Sequence, residues 1–283
     1  MMFKPNYYYL VAGLPDLLLD EGRVKISLPE MKAFFADHVQ SEDNNLITML
    51  FRKYDNKNLM NLLLKNDEKF DDRGNYTFDF LEEQIKEPDA RVLPYLMQFI
   101  NNFKQGIREF PDISLENELE TLFYQYLLTL DNPFLKSWFD LKLNIANVAA
   151  ALNCREHKMP SENELIGDNA VVQGIIRSNA RDFGLMQDFP EIEKILHAWE
   201  GETMLDREKS LDLMRWQWID DATFFNYFSI ERILGFLLQL EMVERWMLLG
   251  DQEGEEMFRK LLNTLVDNYE LPDEFRLQYV TRK

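Results

Sequence analysis

Three histidines and one cysteine are the softest ligands and strongest nucleophiles in this chain. Cys154 and His157 stand at the spacing of half a zinc site, but with no second cysteine a structural zinc lacks its other partners. A di-metal carboxylate centre in a helical bundle needs Glu-x-x-His on two helices. None of His38, His157 or His197 has a glutamate three residues before it. Glu193 and His197, at i and i+4, read as a surface pair. The stretch Asp67 to Gly74 is acidic enough to suggest calcium. With Gly74 as the sixth position of an EF-hand loop, however, Lys69 falls first and Phe80 twelfth, and the pattern fails. Asp71-Asp72 and Asp220-Asp221 are sequence neighbours that diverge on a helix. They suit solvated faces or helix caps rather than a carboxylate pair sharing one proton. No G-x-G, P-loop, G-x-S-x-G or H-E-x-x-H occurs. The sequence offers no catalytic centre and implies no metal or cofactor.

The polar residues that do recur lie at the starts of apolar helices. Tyr54-Asp55 is followed by Asn58-Leu59, and Phe139-Asp140 is followed by Asn144-Ile145. The Asp-to-Asn spacing is three in the first and four in the second. Duplicated helical units and chance likeness between amphipathic helices both account for the echo. Asp55 and Asp140 are expected to cap or to accept backbone N–H groups, and Asn58 and Asn144 to bridge neighbouring helices.

Helical signals carry these residues along the whole chain. Residues 6–19 suit a short strand or the first turns of a buried helix. Ser27-Leu-Pro-Glu30 is a capping box that launches a helix through Val39. A second helix runs from Ser41 to about Lys65, and a polar loop closes at Gly74. Phe78 to Lys86 is a short helix, and Asp89 to Gln105 a longer one bent near Pro94. Ser114 caps a segment through Leu130, and Asn132-Pro133 opens the central helix, which Met159-Pro160 stops. Ser161-x-x-Glu164 is a further capping box. Helices follow over Asn169 to Asn179, Phe189 to Trp199, Thr203 to Ala222 and Ser229 to Leu249, with Gln252 to Asn268 continuing across Gly250. Asp182-Phe-Gly-Leu185 is a turn. Runs of β-branched residues with period two are almost absent, so the fold class is all-α.

A chain of 283 residues, 46% hydrophobic, can bury a large core. With only 11 Gly and 10 Pro no linker is visible, so residues 1–283 read as one helical domain. The net charge of -19 repels phosphate backbones and anionic lipid and favours a basic protein partner. In Arg215-Trp216-Gln217-Trp218 the tryptophans lack a basic patch around them, which suits core or protein interface rather than nucleic-acid stacking. One cysteine excludes an internal disulfide and fits a reducing compartment. No signal peptide or membrane span is expected.

Taken together, certain motifs resemble the family of V/A-type ATPase C subunits, the d subunits of eukaryotes, in a divergent bacterial branch. They are Tyr54-Asp55 with Asn58-Leu59, Phe139-Asp140 with Asn144-Ile145, and Asp182-Phe-Gly-Leu185 with Pro190. The last is Ile233 through Glu241, Glu244 and Arg245 to Trp246. The family's arginine after the Asn-aliphatic helix has no clear counterpart, since Asn153 and Cys154 precede Arg155, and the asparagine expected near Glu244 is absent. The resemblance implies related helical lobes around a pseudo-threefold axis. It implies a non-catalytic central-stalk protein that couples the central shaft to the membrane rotor ring for ion transport. Such a protein is cytoplasmic, peripheral at the inner membrane through the complex, without direct membrane insertion or nucleic-acid binding. The alternative is a helical scaffold that keeps the fold and binds another protein.

Overall fold

Residues 5–19 and 26–268 are described by the structure, a computed structural model, with side chains through Gly250. Among them are twelve helices and no strand, which makes the chain all-α. They are α1 (Tyr8–Ala12), α2 (Leu28–His38), α3 (Ser41–Leu50), α4 (Arg52–Leu64), α5 (Phe78–Lys86) and α6 (Pro94–Gln105). After them come α7 (Leu115–Leu127), α8 (Pro133–His157), α9 (Ala170–Arg177), α10 (Ile192–Trp199), α11 (Met204–Thr223) and α12 (Ile230–Asn268).

Local signals set most starts. Ser27 and Glu30 form the reciprocal capping box of α2, and Thr203 with Asp206 does the same for α11. Asn132 caps α8 with Pro133 at its first position, and Asn169 caps α9. Elsewhere the structure departs from the pattern. The helix expected from Ser41 to Lys65 breaks at Phe51, where the Thr48 carbonyl accepts the Asn75 side-chain amide at 3.1 Å beside a tightened bond from the Phe51 N–H, also at 3.1 Å. The helix expected from Asp89 starts only at Pro94, whose ring holds Leu93 in the extended conformation. Ser161 to Glu164 closes a single backbone turn, 2.9 Å from Glu164 N to Ser161 O, and no helix starts before Ala170. The opening tyrosines form the short α1 and not a strand. No break occurs at Gly250, and α12 runs 39 residues.

The apolar side chains gather into two clusters. The larger takes α1–α4, α6, α7, the first half of α8 through Leu143, and the buried half of α12. The smaller takes Leu141 to Leu152 of α8 with α9, α10 and α11. α8, about 37 Å long at 1.5 Å per residue, therefore runs through both. Trp218 of α11 packs against each, with ring contacts to Phe134 and Trp138 at 5.6 and 5.7 Å, so the tryptophan run serves the core. α12 is apolar nearly all round between Ile233 and Leu240, the mark of a helix at the centre of a bundle. Its Gly235 lets α11 come close, since a Cβ there would lie 2.9 Å from Ile219 Cγ2. No described helix is long and apolar enough to cross a membrane.

Candidate functional site: polar anchors and a cationic cleft

Asp55 is fully buried on α4 and accepts four donors. They are the backbone N–H groups of Asn75 at 2.6 Å and Tyr76 at 3.0 Å, the Asn75 amide at 2.8 Å and Arg52 at 3.1 Å. One turn on, Asn58 makes a two-way bond with the Asp71 backbone, donating to its carbonyl and accepting its N–H at 2.9 Å each. The loop before α5 is thus clamped to α4. Gly74 is required there, since a Cβ would stand 2.6 Å from Asp55 Oδ1. Lys32 closes the clamp, giving its protons to the carbonyls of Arg73 and Gly74 at 2.9 and 2.8 Å. Burial holds its ammonium down to about 8. Asp71 chelates Arg73 at 2.9 and 2.6 Å, and that bond keeps its carboxyl below the usual range.

The same construction recurs on α8, in a different register from the one the sequence suggested. Asn147 donates to the Ile166 carbonyl at 2.9 Å and accepts the Ile166 N–H at 2.8 Å, as Asn58 does at Asp71. Asn144, three residues earlier, accepts from Asn169 at 2.7 Å, and Asn169 caps α9. Asn144 and Asn147 therefore correspond to Asp55 and Asn58, with spacing three in both. Asp140 takes no backbone N–H; it is exposed and accepts only the Asn144 amide, at 3.2 Å. Asn147 is the residue that pairing by Asp missed, and matching the spacing would have found it. Arg155 donates to the carbonyls of Ala180 and Arg181 at 3.0 and 3.1 Å and lies 3.9 Å from the centre of the Phe183 ring. It locks the Asp182–Leu185 turn, in which Phe183 has φ 54° and Gly184 φ 70°.

On α12, Glu241 and Glu244 are again one turn apart. Glu244 accepts the N–H of Leu28 at the start of α2, and Glu241 accepts the Tyr54 hydroxyl and pairs with Lys53. Burial pushes Glu241 upward, but Lys53, Tyr54 and Lys142 more than offset it and the net shift is downward. Glu244 shifts up, chiefly through burial, against the Leu28 N–H. Arg245 reaches Asp212 on α11, a buried carboxylate that also takes Arg215 at 2.7 Å and the Trp246 indole at 2.9 Å. Asp212 had no visible signal, since its partners on α12 lie more than 30 residues away.

These residues wall a cleft of about 550 Å³ where α4, α8, α11 and α12 meet. Trp138, Leu238, Met242 and Leu248 give it apolar surface. Six cations line it (Lys53, Lys57, Arg73, Lys142, Arg215 and Arg245) against three carboxylates, Asp212, Glu241 and Glu244. A chain of net charge -19 thus turns a positive side inward at this cleft. Lys142, half-buried on α8, is held down to about 8 by burial and by repulsion from Lys53, against attraction from Glu120 and Glu241.

The residues that first suggested metal or nucleophilic chemistry are scattered. Cys154 is buried, which raises its thiol, and His157 beside it is exposed. His197 bonds to Glu200 at 3.3 Å and not to Glu193. Among the described residues no three His, Cys, Asp or Glu side chains are placed to hold a metal ion. No curated protein matches the sequence. Residues 4–270 match the model of a family described as a protein of unknown function, DUF2764, and the chain belongs to that family.

Proposed function

We propose that this chain is a non-catalytic central-stalk component of a V/A-type rotary ATPase, joining the central shaft to the membrane rotor ring. The observation that carries the reading is a threefold recurrence. Asp55/Asn58, Asn144/Asn147 and Glu241/Glu244 are polar pairs at i and i+3 on three long helices. The first two pairs hold the approaches to α5 and α9, and in the third Glu244 holds the start of α2 while Glu241 ties α12 to Tyr54 and Lys53 of α4. A stalk protein made of three related lobes about a pseudo-threefold axis is expected to carry one such anchor per lobe, and the sequence motifs resemble that kind of protein.

The cleft supports the same reading. It opens where the three anchor helices converge, and one turn of a helix, about 10 Å across and 5.4 Å high, fills roughly 400 Å³. A cleft of about 550 Å³ has the size to seat the end of a shaft helix. The acidic remainder of the surface suits the Lys- and Arg-rich cytoplasmic loops of a membrane ring and disfavours lipid itself. In this reading the protein sits at the cytoplasmic face of the inner membrane through the complex. It inserts no helix and transmits torque through packed contacts without chemistry of its own.

Affinity capture of the tagged chain from gently solubilised membranes, with mass spectrometry of what is retained, tests the proposal. Shaft and ring proteins are the expected partners, with ring capture falling as salt rises. Capture of unrelated proteins, with neither shaft nor ring, would replace the stalk reading by that of a helical scaffold.

A further inference from the structure

The six cations of the cleft are not alike. Lys53 is paired with Glu241, Lys57 with Glu68 at 2.9 Å, and Arg73 with Asp71 at 2.6 Å. Arg215 and Arg245 share Asp212, and Arg245 adds Glu208 at 3.5 Å. Lys142 alone makes no hydrogen bond or ion pair with any described residue. The charged groups around it come from four helices: Lys53 on α4, Glu120 on α7, Arg215 on α11 and Glu241 on α12. The two carboxylates are engaged elsewhere, Glu241 with Lys53 and Tyr54, and Glu120 with the Asn56 amide at 3.3 Å.

A half-buried ammonium that no carboxylate touches raises the energy of the folded state, and an anion delivered to it relieves that cost. The position has room, since it faces the 550 Å³ cleft. It calls for a single negative charge: phosphate would need a second uncommitted cation, and every other cation lining the cleft is already paired. The cleft it faces also presents the apolar Trp138, Leu238 and Met242, so the charge belongs on a body with apolar surface.

We propose that Lys142 anchors a carboxylate, carried by an Asp or Glu side chain on a helix of a protein partner that enters this cleft. The identity of that helix as the shaft rests on the stalk reading; the carboxylate chemistry does not. Lys142 binds as the ammonium, so the contact weakens as pH rises through about 8. Lys53, Arg215, Glu120 and Glu241 set that midpoint.

Two experiments on the full chain separate the possibilities. In the first, lysines are ¹³C-dimethylated and the Lys142 resonance, identified by its loss in Lys142→Met, is titrated with pH in butyrate or in chloride of equal ionic strength. Butyrate should move the midpoint from about 8 toward the ordinary lysine value of about 10.4, and chloride should not. An unmoved midpoint overturns the proposal. In the second, membrane capture is repeated with Lys142→Met and Lys142→Arg, each verified as folded by circular dichroism. Shaft recovery should fall about tenfold or more with Met and be largely retained with Arg. Equal recovery by all three overturns the carboxylate contact while leaving the stalk reading intact. A butyrate response with no shaft recovered even by the native chain supports the carboxylate site and overturns the stalk reading.

Discussion

The two clamped junctions, α4 to α5 and α8 to α9, share one plan and differ in charge. In the first, the inner residue is Asp55, a carboxylate sealed from water and met by four donors. In the second it is Asn144, a neutral amide with two partners, Asn169 and Asp140. The outer residue is asparagine in both and makes the same two backbone bonds. A buried charge demands a full shell of donors, and the chain supplies it with Asn75, Arg52 and a glycine that brings the loop backbone close. An amide needs no such shell, so the second junction has no Arg52 equivalent at Asn144. The geometry of the clamp is common to both junctions, and the electrostatic reinforcement belongs to one.

Breaking the inner residues should widen that difference most. Asp55→Ala orphans two backbone N–H groups, an amide and Arg52, and is expected to cost about 3–5 kcal/mol in urea unfolding. Asn144→Ala should cost about 1 kcal/mol; equal losses would mean that the charge adds nothing. The outer residues test the likeness instead. Asn58→Asp and Asn147→Asp each turn a donor aimed at a carbonyl into a second acceptor, at Asp71 O and Ile166 O. Each should lose about 2–3 kcal/mol, and the two losses should agree. Gly74→Ala drives a methyl against Asp55 Oδ1, with an expected cost of about 1–3 kcal/mol that Asp55→Ala should largely remove in the double variant.

The smallest effect is one of pH. Lys142 in the folded chain loses its proton near 8, while in the unfolded chain it holds it to about 10.4. Between these values the unfolded state binds more protons, so this group adds stability as pH rises. Below about 8 the group is charged in both states and its contribution is at its lowest. Lys142→Met should therefore flatten the gain of wild type between pH 8 and 10, by about 1 kcal/mol once solvent screening is allowed for. A parallel pair of stability curves would contradict the shift.

Much of this was legible in the residues. The capping box at Ser27, the Asn132-Pro133 opening and the helix starts at Asn169 and Thr203 rest on local hydrogen bonds, which sequence encodes directly. Asp55, Asn58 and Asn144 stood out because polar residues at fixed offsets in apolar helices are costly unless satisfied. The break at Phe51 was hidden, because Asn75, whose amide meets the Thr48 carbonyl there, lies more than twenty residues on. Matching Asp with Asp misjudges the register of the second junction, since the physical constant is the one-turn separation of the two anchors. The cleft could not be read at all. Its cations come from α4, α8, α11, α12 and one loop, and a net charge of -19 gave no hint that they would converge.

Photo-crosslinking from the cleft in intact membranes tests the central claim most directly. A photoreactive residue in place of Lys57, exposed on the cleft wall, should give adducts with a coiled-coil shaft protein of the rotary ATPase. Adducts with ring proteins alone, or with no component of the ATPase, would contradict the account.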